Sequence, residues 1–185
     1  MTELGLLREV VGVLLAALIA VLPPIPHPQR ERIQLRRERI VSMATASSAR
    51  YHVPPSVLLV VAFMETHLGT DDGEGGGWGA PIDAQHPHKA GTSDHAARIL
   101  ARGRRVCGSW QGAVSWFRSG KCSPPPFAET YVRNGMWLIE RTHSRAALLA
   151  PKDLYADAQP PPGEPVRSEA RREGDRPPTP PGNPP

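Results

Sequence analysis

An unbroken apolar run that ends in a single carboxylate is the feature that most constrains this chain. The eight residues from Val57 to Met64 are all apolar, and Glu65 follows them directly. Ser56 can cap the start of a helix here and Gly69 can close its end, so we predict a helix between them. A helix that is apolar on every side is buried in a core, and the chain must therefore fold around this segment.

Glu65 is placed by this prediction at the edge of the core, in the last turn of the helix. Partial desolvation and the negative end of the helix dipole both favour the protonated form of a carboxyl group there. A carboxyl group that keeps its proton near neutral pH can serve as a general acid. A solvated glutamate at a helix end is the alternative, and it stays open on composition alone.

A second apolar run lies near the N-terminus and spans 13 residues, from Val10 to Leu22. This length is typical of the core of an export signal and is shorter than a standard membrane span. Extending the run back to Leu4 gives a marginal span that could anchor the chain. We therefore predict that residues 1–25 are a signal peptide or membrane anchor and that the protein is exported to the periplasm or cell envelope. A buried helix of a soluble domain is the alternative.

Proline and helical periodicity divide the remainder of the chain. Residues 26–29 belong to a stiff Pro-rich spacer, and residues 30–149 are predicted to form one all-α domain without strands. Residues 150–185 are predicted to be a disordered tail, because Pro151–Pro185 holds 11 of the 22 prolines and few apolar residues. The predicted helices of the domain span 31–49, 56–69, 93–102, 110–118 and 127–149. In the last of them Phe127, Tyr131, Val132, Met136, Leu138 and Ile139 form the predicted apolar stripe.

The net charge indicates which kinds of partner to expect, and the cysteine content indicates a disulfide. The net charge is +4 with scattered basic residues, which does not indicate a nucleic-acid site but allows weak attraction to cell-wall polymers or lipid headgroups. Cys107 and Cys122 bracket a predicted helix, and two cysteines in an exported chain predict one disulfide. Closing a loop of this size stabilises a fold by about 3 kcal/mol in the chain-entropy model. Two free thiols are the alternative.

A Gly-rich segment from Thr70 to Asp83 is predicted to be a long loop, of the kind that is usually functional or disordered. Trp78 within it can stack on a sugar ring or fill the core, and both interpretations stay open. The acidic residues of the loop lack calcium-ligand spacing, and His86 and His88 lack a partner pair at zinc spacing. We therefore predict no metal site in this segment.

Several segments in the right order resemble the SLT-type catalytic domain of lytic transglycosylases, which has a goose-lysozyme-like fold. Ala62–Thr66 resembles the A-x-x-E-S motif, whose Glu is catalytic in that family. The other matches are Tyr51–Leu59 to the entry into the catalytic helix, Gly77–Ile82 to G-L-M-Q-I, Ala113–Gly120 to A-L-A-A-Y-N-A-G and Thr130–Val132 to a late Y-V motif.

The resemblance implies a small lysozyme-like helical domain that cleaves the β-1,4 bond between N-acetylmuramic acid and N-acetylglucosamine in peptidoglycan. Glu65 would be the single general acid and base, and the product would carry a 1,6-anhydro end. The implied substrate-binding residues are Thr66, Trp78, Gln85, Phe117, Arg118 and Tyr131. The resemblance implies glycan strands as the partner and a reaction without a metal or organic cofactor. Membrane contact through residues 4–22 is expected from the N-terminal apolar run.

The sequence departs from the family pattern at several of these positions. Thr66 stands for Ser, Phe117 for Tyr and Arg118 for Asn, and no Gln occupies residues 79–81, so Gln85 is the substitute candidate. Two other hypotheses follow from these departures. The chain could be a catalytically inactive peptidoglycan-binding module, or a membrane-tethered envelope scaffold whose Pro-rich tail docks on a partner protein.

Overall fold

All regular secondary structure in the described part of the chain is α-helix, as the sequence predicts. The computed structural model describes residues 2–22, 27–68, 78 and 92–150, and no strand occurs among them. Seven helices follow one another there: α1 Glu3–Val21, α2 His27–Leu35, α3 Arg37–Tyr51, α4 Pro55–Thr66, α5 Ser93–Cys107, α6 Trp110–Ser119 and α7 Pro126–Leu149. The predicted tail beyond residue 150 lies outside the described residues.

The N-terminal helix α1 is packed into the body of the domain. It lies along α7 and also contacts α3 and α4. Val11, Leu15 and Leu18 are fully buried, and Arg8 reaches Glu38 of α3 through an exposed ion pair of 2.8 Å. The helix has 19 residues, and an 18-residue window within it has a mean hydropathy of 2.3, so by length and composition it is the described helix that could cross a membrane. The structure thus shows an apolar helix that also serves as a core element.

The predicted helix at residues 31–49 is two helices. α2 and α3 are separated at Arg36, which leaves helical geometry without a proline or glycine to mark the break in the sequence. The predicted shared face is present, because Ile33, Ile40 and Ala44 are buried and Met43 packs against them.

Helix α4 is the buried helix that the apolar run predicts, but its ends differ from the prediction. Pro54 takes the N-cap position and Pro55 begins the helix, where a fixed φ is already helical and a missing N–H costs nothing. Ser56 is therefore not the cap. The helix closes at His67 in the left-handed conformation rather than at Gly69, with the Leu68 N–H donating to the Ala62 carbonyl.

Helices α5, α6 and α7 complete the core and carry two close approaches. α5 extends beyond its predicted end to Cys107, and Thr92 rather than Ser93 or Asp94 caps it. Gly103 lets α5 lie against α6, because an added Cβ would come within 3.0 Å of the Ala113 backbone. The predicted disulfide joins Cys107 to Cys122 and closes the segment that contains α6. Phe127 is 72% exposed at the start of α7, so its predicted place in the core stripe is wrong.

Candidate active site

Glu65 lies at the end of α4 with most of its side chain removed from solvent. Its side chain is 14% exposed, which matches the predicted position at the edge of the core. Gly135 of α7 lies close to Met64, the residue before Glu65, since a Cβ on Gly135 would lie 3.2 Å from Met64 Sδ. The close passage of α7 therefore helps to fix the last turn of α4 and the direction of the carboxylate.

Arg118, in the last turn of α6, approaches the same carboxylate. Its Nη1 lies 3.6 Å from Glu65 Oε2, and its side chain is 48% exposed. The guanidinium also lies over the ring of Tyr131, with Cζ 5.4 Å from the ring centroid. A cation over a tyrosine face is attracted by the ring, so the two contacts together restrain Arg118 between Glu65 and Tyr131.

Tyr131 completes the cluster from the first half of α7. Burial raises the pKa of its phenol well above the usual range, the neighbouring Glu65 carboxylate raises it further, and Arg118 acts in the opposite direction. Tyr131 Oη and Glu65 Oε1 are both buried, and neither makes a well-formed hydrogen bond within the described part of the chain. The phenol therefore lies beside the carboxylate, near enough for its hydroxyl group to interact with Glu65, and both atoms are removed from solvent.

The backbone directly after the Glu65 turn is strained. His67 and Leu68 have φ values of 47° and 61°, in the left-handed region that residues with a Cβ rarely adopt. The His67 ring packs edge-on against Phe63, with centroids 5.1 Å apart. Consecutive left-handed residues cost free energy and occur preferentially at functional sites, so their position two and three residues beyond Glu65 marks this turn as a candidate site.

The other predicted substrate-binding residues are not equally placed. Thr66 Oγ1 donates to the Ala62 carbonyl at 3.1 Å, so the hydroxyl is engaged by its own helix. Phe117 is 6% exposed and Trp78 is 2% exposed. A sugar ring cannot stack on either side chain in this structure, because neither ring has a free face. For Trp78 the burial favours the core interpretation: its indole meets Leu68 and the α3 residues Ile40 and Met43 around a small gap.

Several sequence predictions fall on residues that the structure does not describe. Gln85, the candidate substitute for the family amide, lies outside the described residues. The same is true of the acidic loop residues Asp71, Asp72 and Glu74 and of Asp83, His86 and His88. The substrate-binding role of Gln85 and the expectation that this segment holds no metal site therefore stay predictions.

A buried polar pair was missed by sequence reasoning. Ser56 Oγ lies 2.7 Å from Nε2 of His143, and burial lowers the pKa of this histidine. The two residues are 87 positions apart and join the start of α4 to the later part of α7. Only the polar character of Ser56 beside an otherwise apolar run could have signalled a partner, because long-range pairing leaves no local pattern.

Comparisons with protein-family models, with curated proteins and with solved structures found no match to this chain.

Proposed function

We propose that this protein is a lytic transglycosylase that cleaves the β-1,4 bond between N-acetylmuramic acid and N-acetylglucosamine in peptidoglycan. One observation carries the proposal: Glu65, Arg118 and Tyr131 come from α4, α6 and α7 and meet in one partly buried cluster. Glu65 and Tyr131 match motif residues of the family, and Arg118 stands where the family has Asn. A lysozyme-like arrangement of the helices is part of the proposal.

Glu65 performs both proton transfers in this proposal. Its carboxyl group protonates the glycosidic oxygen as the bond to the muramic acid C1 breaks, which releases the N-acetylglucosamine hydroxyl. The 6-OH of the same muramic acid attacks C1, and Glu65 takes the hydroxyl proton. The proton balance is closed, and the product is a 1,6-anhydro end. Holding the attacking hydroxyl within the substrate itself supplies much of the rate through proximity.

A single carboxylate is sufficient for this route, whereas most glycosidases need two. Glu65 is the only acidic residue of α4. Arg118 Nη1 lies 3.6 Å from Oε2, and Oε1 is shielded from solvent without a hydrogen-bond partner among the described residues. Tyr131 orients the carboxylate or the reacting sugar through its buried hydroxyl group. No metal or organic cofactor takes part in the proposed reaction.

The proposed place of action is the cell envelope. The disulfide between Cys107 and Cys122 supports it, because disulfides persist in oxidising compartments. The apolar α1 supports export, and its burial against α3, α4 and α7 supports retention of the helix after export. Glycan strands are the proposed substrate and partner, and the Pro-rich tail is proposed to dock on an envelope protein.

Digestion of purified peptidoglycan by the full-length protein tests the proposal. We expect the wild type to release muropeptides with 1,6-anhydro ends, detected by mass spectrometry, and Glu65→Gln to release none. Glu129→Gln is the matched control, since Glu129 is an exposed glutamate on α7. Reducing ends would instead indicate a hydrolase. Binding of peptidoglycan without release would indicate an inactive binding module, and either result overturns the proposal.

A further inference from the structure

Three arginines form a row along the exposed side of α5. Arg98, Arg102 and Arg105 are spaced four and three residues apart and are all exposed. Residues at i, i+4 and i+7 lie on one face of an α-helix, and the rise of 1.5 Å per residue spreads this row over about 10 Å. We call these three residues the arginine row.

The charges of the arginine row are not compensated within the described part of the chain, where none of its three members has an ion pair or hydrogen bond. Two neighbouring arginines, in contrast, have partners within the fold. Arg104 donates to the Gly108 carbonyl and lies over the Trp110 ring at 5.9 Å, and Arg50 of α3 pairs with Asp94. The fold thus uses the adjacent arginines internally and leaves the row directed at solvent.

The row is held on a rigid support. Gly103 brings α5 against α6, and the disulfide at Cys107 fixes the end of the helix to the segment after α6. At the other end, a cavity of about 350 Å³ opens beside Arg98. Besides Arg98 it is lined by Tyr51, Thr92, Ser93, Asp94 and His95 and by none of the Glu65 cluster, and the Asp94 carboxylate is paired with Arg50. The cavity can therefore receive a polar group next to the first guanidinium, at a place distinct from the candidate active site.

We propose that the arginine row is a binding site for the carboxylates of the peptide stems carried by peptidoglycan glycan strands. The inference rests on the proposed function, because it takes its ligand from that substrate. A guanidinium presents a planar pair of N–H donors that matches a carboxylate in a bidentate manner. Guanidinium groups repeated along a fixed helix suit an anionic polymer whose carboxylates also repeat. The row itself carries no aromatic side chain, which single-stranded nucleic-acid sites use for stacking.

The arginine row gives the enzyme a second binding site for the glycan strand, in addition to the site at Glu65. A strand held by its stems at α5 stays bound to the protein after each cleavage. Binding through the row should weaken with salt, because it depends on exposed charges.

The test is a sedimentation assay that measures binding of full-length protein to purified sacculi. All proteins carry Glu65→Gln, so that the outcome does not depend on catalysis. The row variant is Arg102→Gln/Arg105→Gln. The matched control is Arg37→Gln/Arg145→Gln, which removes two exposed arginines from α3 and α7 and changes the net charge equally. Thermal unfolding checks that each variant is folded.

We expect the row variant to bind sacculi about tenfold more weakly than its parent and the control to bind equally well, a difference of about 1.4 kcal/mol. Amidation of the stem carboxylates should reduce binding by the parent to the level of the row variant. If both variants lost the same affinity for sacculi, the change in net charge alone would explain the loss, and the proposal would be overturned. Undiminished binding by the row variant, or a row-dependent preference for duplex DNA or anionic vesicles over sacculi, would also overturn it. If Glu65→Gln digested peptidoglycan as well as the wild type, the proposed function would be overturned. The binding result would still stand, because every protein in the sedimentation assay carries Glu65→Gln.

Discussion

Arg118 Nη1 lies 3.6 Å from Glu65 Oε2, across the junction between the ends of α6 and α4. The guanidinium is half-exposed, so solvent screens the pair and limits its contribution to the free energy of unfolding to about 0–1 kcal/mol. Its importance is therefore expected to be positional. Arg118 fixes one oxygen of the carboxylate while the other is left without a partner among the described residues.

Replacement of Arg118 by Gln separates its role in positioning Glu65 from its contribution to the stability of the fold. We expect kcat for peptidoglycan digestion to fall about tenfold, equivalent to about 1.4 kcal/mol, because Glu65 loses its fixed orientation. KM and the melting temperature should change little. Steady-state kinetics and calorimetry check this prediction. A rise in KM with unchanged kcat would instead make Arg118 a substrate-binding residue, as the family resemblance implies.

Removal of the Tyr131 hydroxyl tests the second neighbour of Glu65. Tyr131→Phe keeps the ring beneath Arg118 and deletes only Oη, so the fold should be preserved. We expect activity to fall about tenfold to a hundredfold, because in the proposed reaction the phenol donates to the Glu65 carboxylate or the sugar, and a hydrogen bond to a charged group contributes about 1.5–3 kcal/mol. The release rate of anhydro-muropeptides is the measurement. Wild-type activity in this variant would remove Tyr131 from the mechanism.

The buried Ser56–His143 pair predicts an acid-dependent loss of stability. Burial lowers the pKa of His143, so the unfolded chain takes up a proton near pH 6.5 that the folded chain does not accept. The contribution of this histidine to the free energy of unfolding is complete above pH 6.5 and declines as pH falls below it, by up to about 1.4 kcal/mol per pH unit.

Urea unfolding between pH 7 and pH 5 measures this dependence. His143→Gln should flatten the slope, whereas His27→Gln, at an exposed position on α2, should leave it unchanged. Identical slopes for the wild type and His143→Gln would contradict the assignment.

Burial of α1 predicts that its apolar residues stabilise the whole domain. Leu15 is fully buried, and its truncation to Ala should reduce the free energy of unfolding by about 2–5 kcal/mol. Leu4, 58% exposed on the same helix, provides the control, and Leu4→Ala should change it by less than about 0.5 kcal/mol. Denaturant unfolding compares the two. Equal, small effects would mean that α1 leaves the domain in solution.

The sequence predicts the presence of the helices and of the Glu65 cluster better than it predicts where each helix begins and ends. Glu65 is found where a continuous apolar run meets a polar residue, and such a run is a local signal. The helix ends differ because Pro55 and His67 take the terminal positions that Ser56 and Gly69 were expected to occupy. Pairing of Ser56 with His143 depends on the approach of α4 and α7, which no local pattern encodes.

Aromatic residues show the same limit. Tyr131 was predicted in the candidate site and lies there, whereas Phe117 and Trp78 are buried away from any sugar-binding face. Whether an aromatic ring fills the core or covers a site depends on the space left by other helices. The arginine row, in contrast, could have been found from the sequence, because the spacing of Arg98, Arg102 and Arg105 is helical.

Digestion of peptidoglycan in water enriched in oxygen-18 tests the central claim most directly. If Glu65 directs attack by the muramic acid 6-OH, the wild type will release anhydro-muropeptides without solvent oxygen at the cleaved end, and Glu65→Gln will release none. Muropeptides that carry one solvent oxygen at each new reducing end, or equal release by Glu65→Gln, would contradict the account.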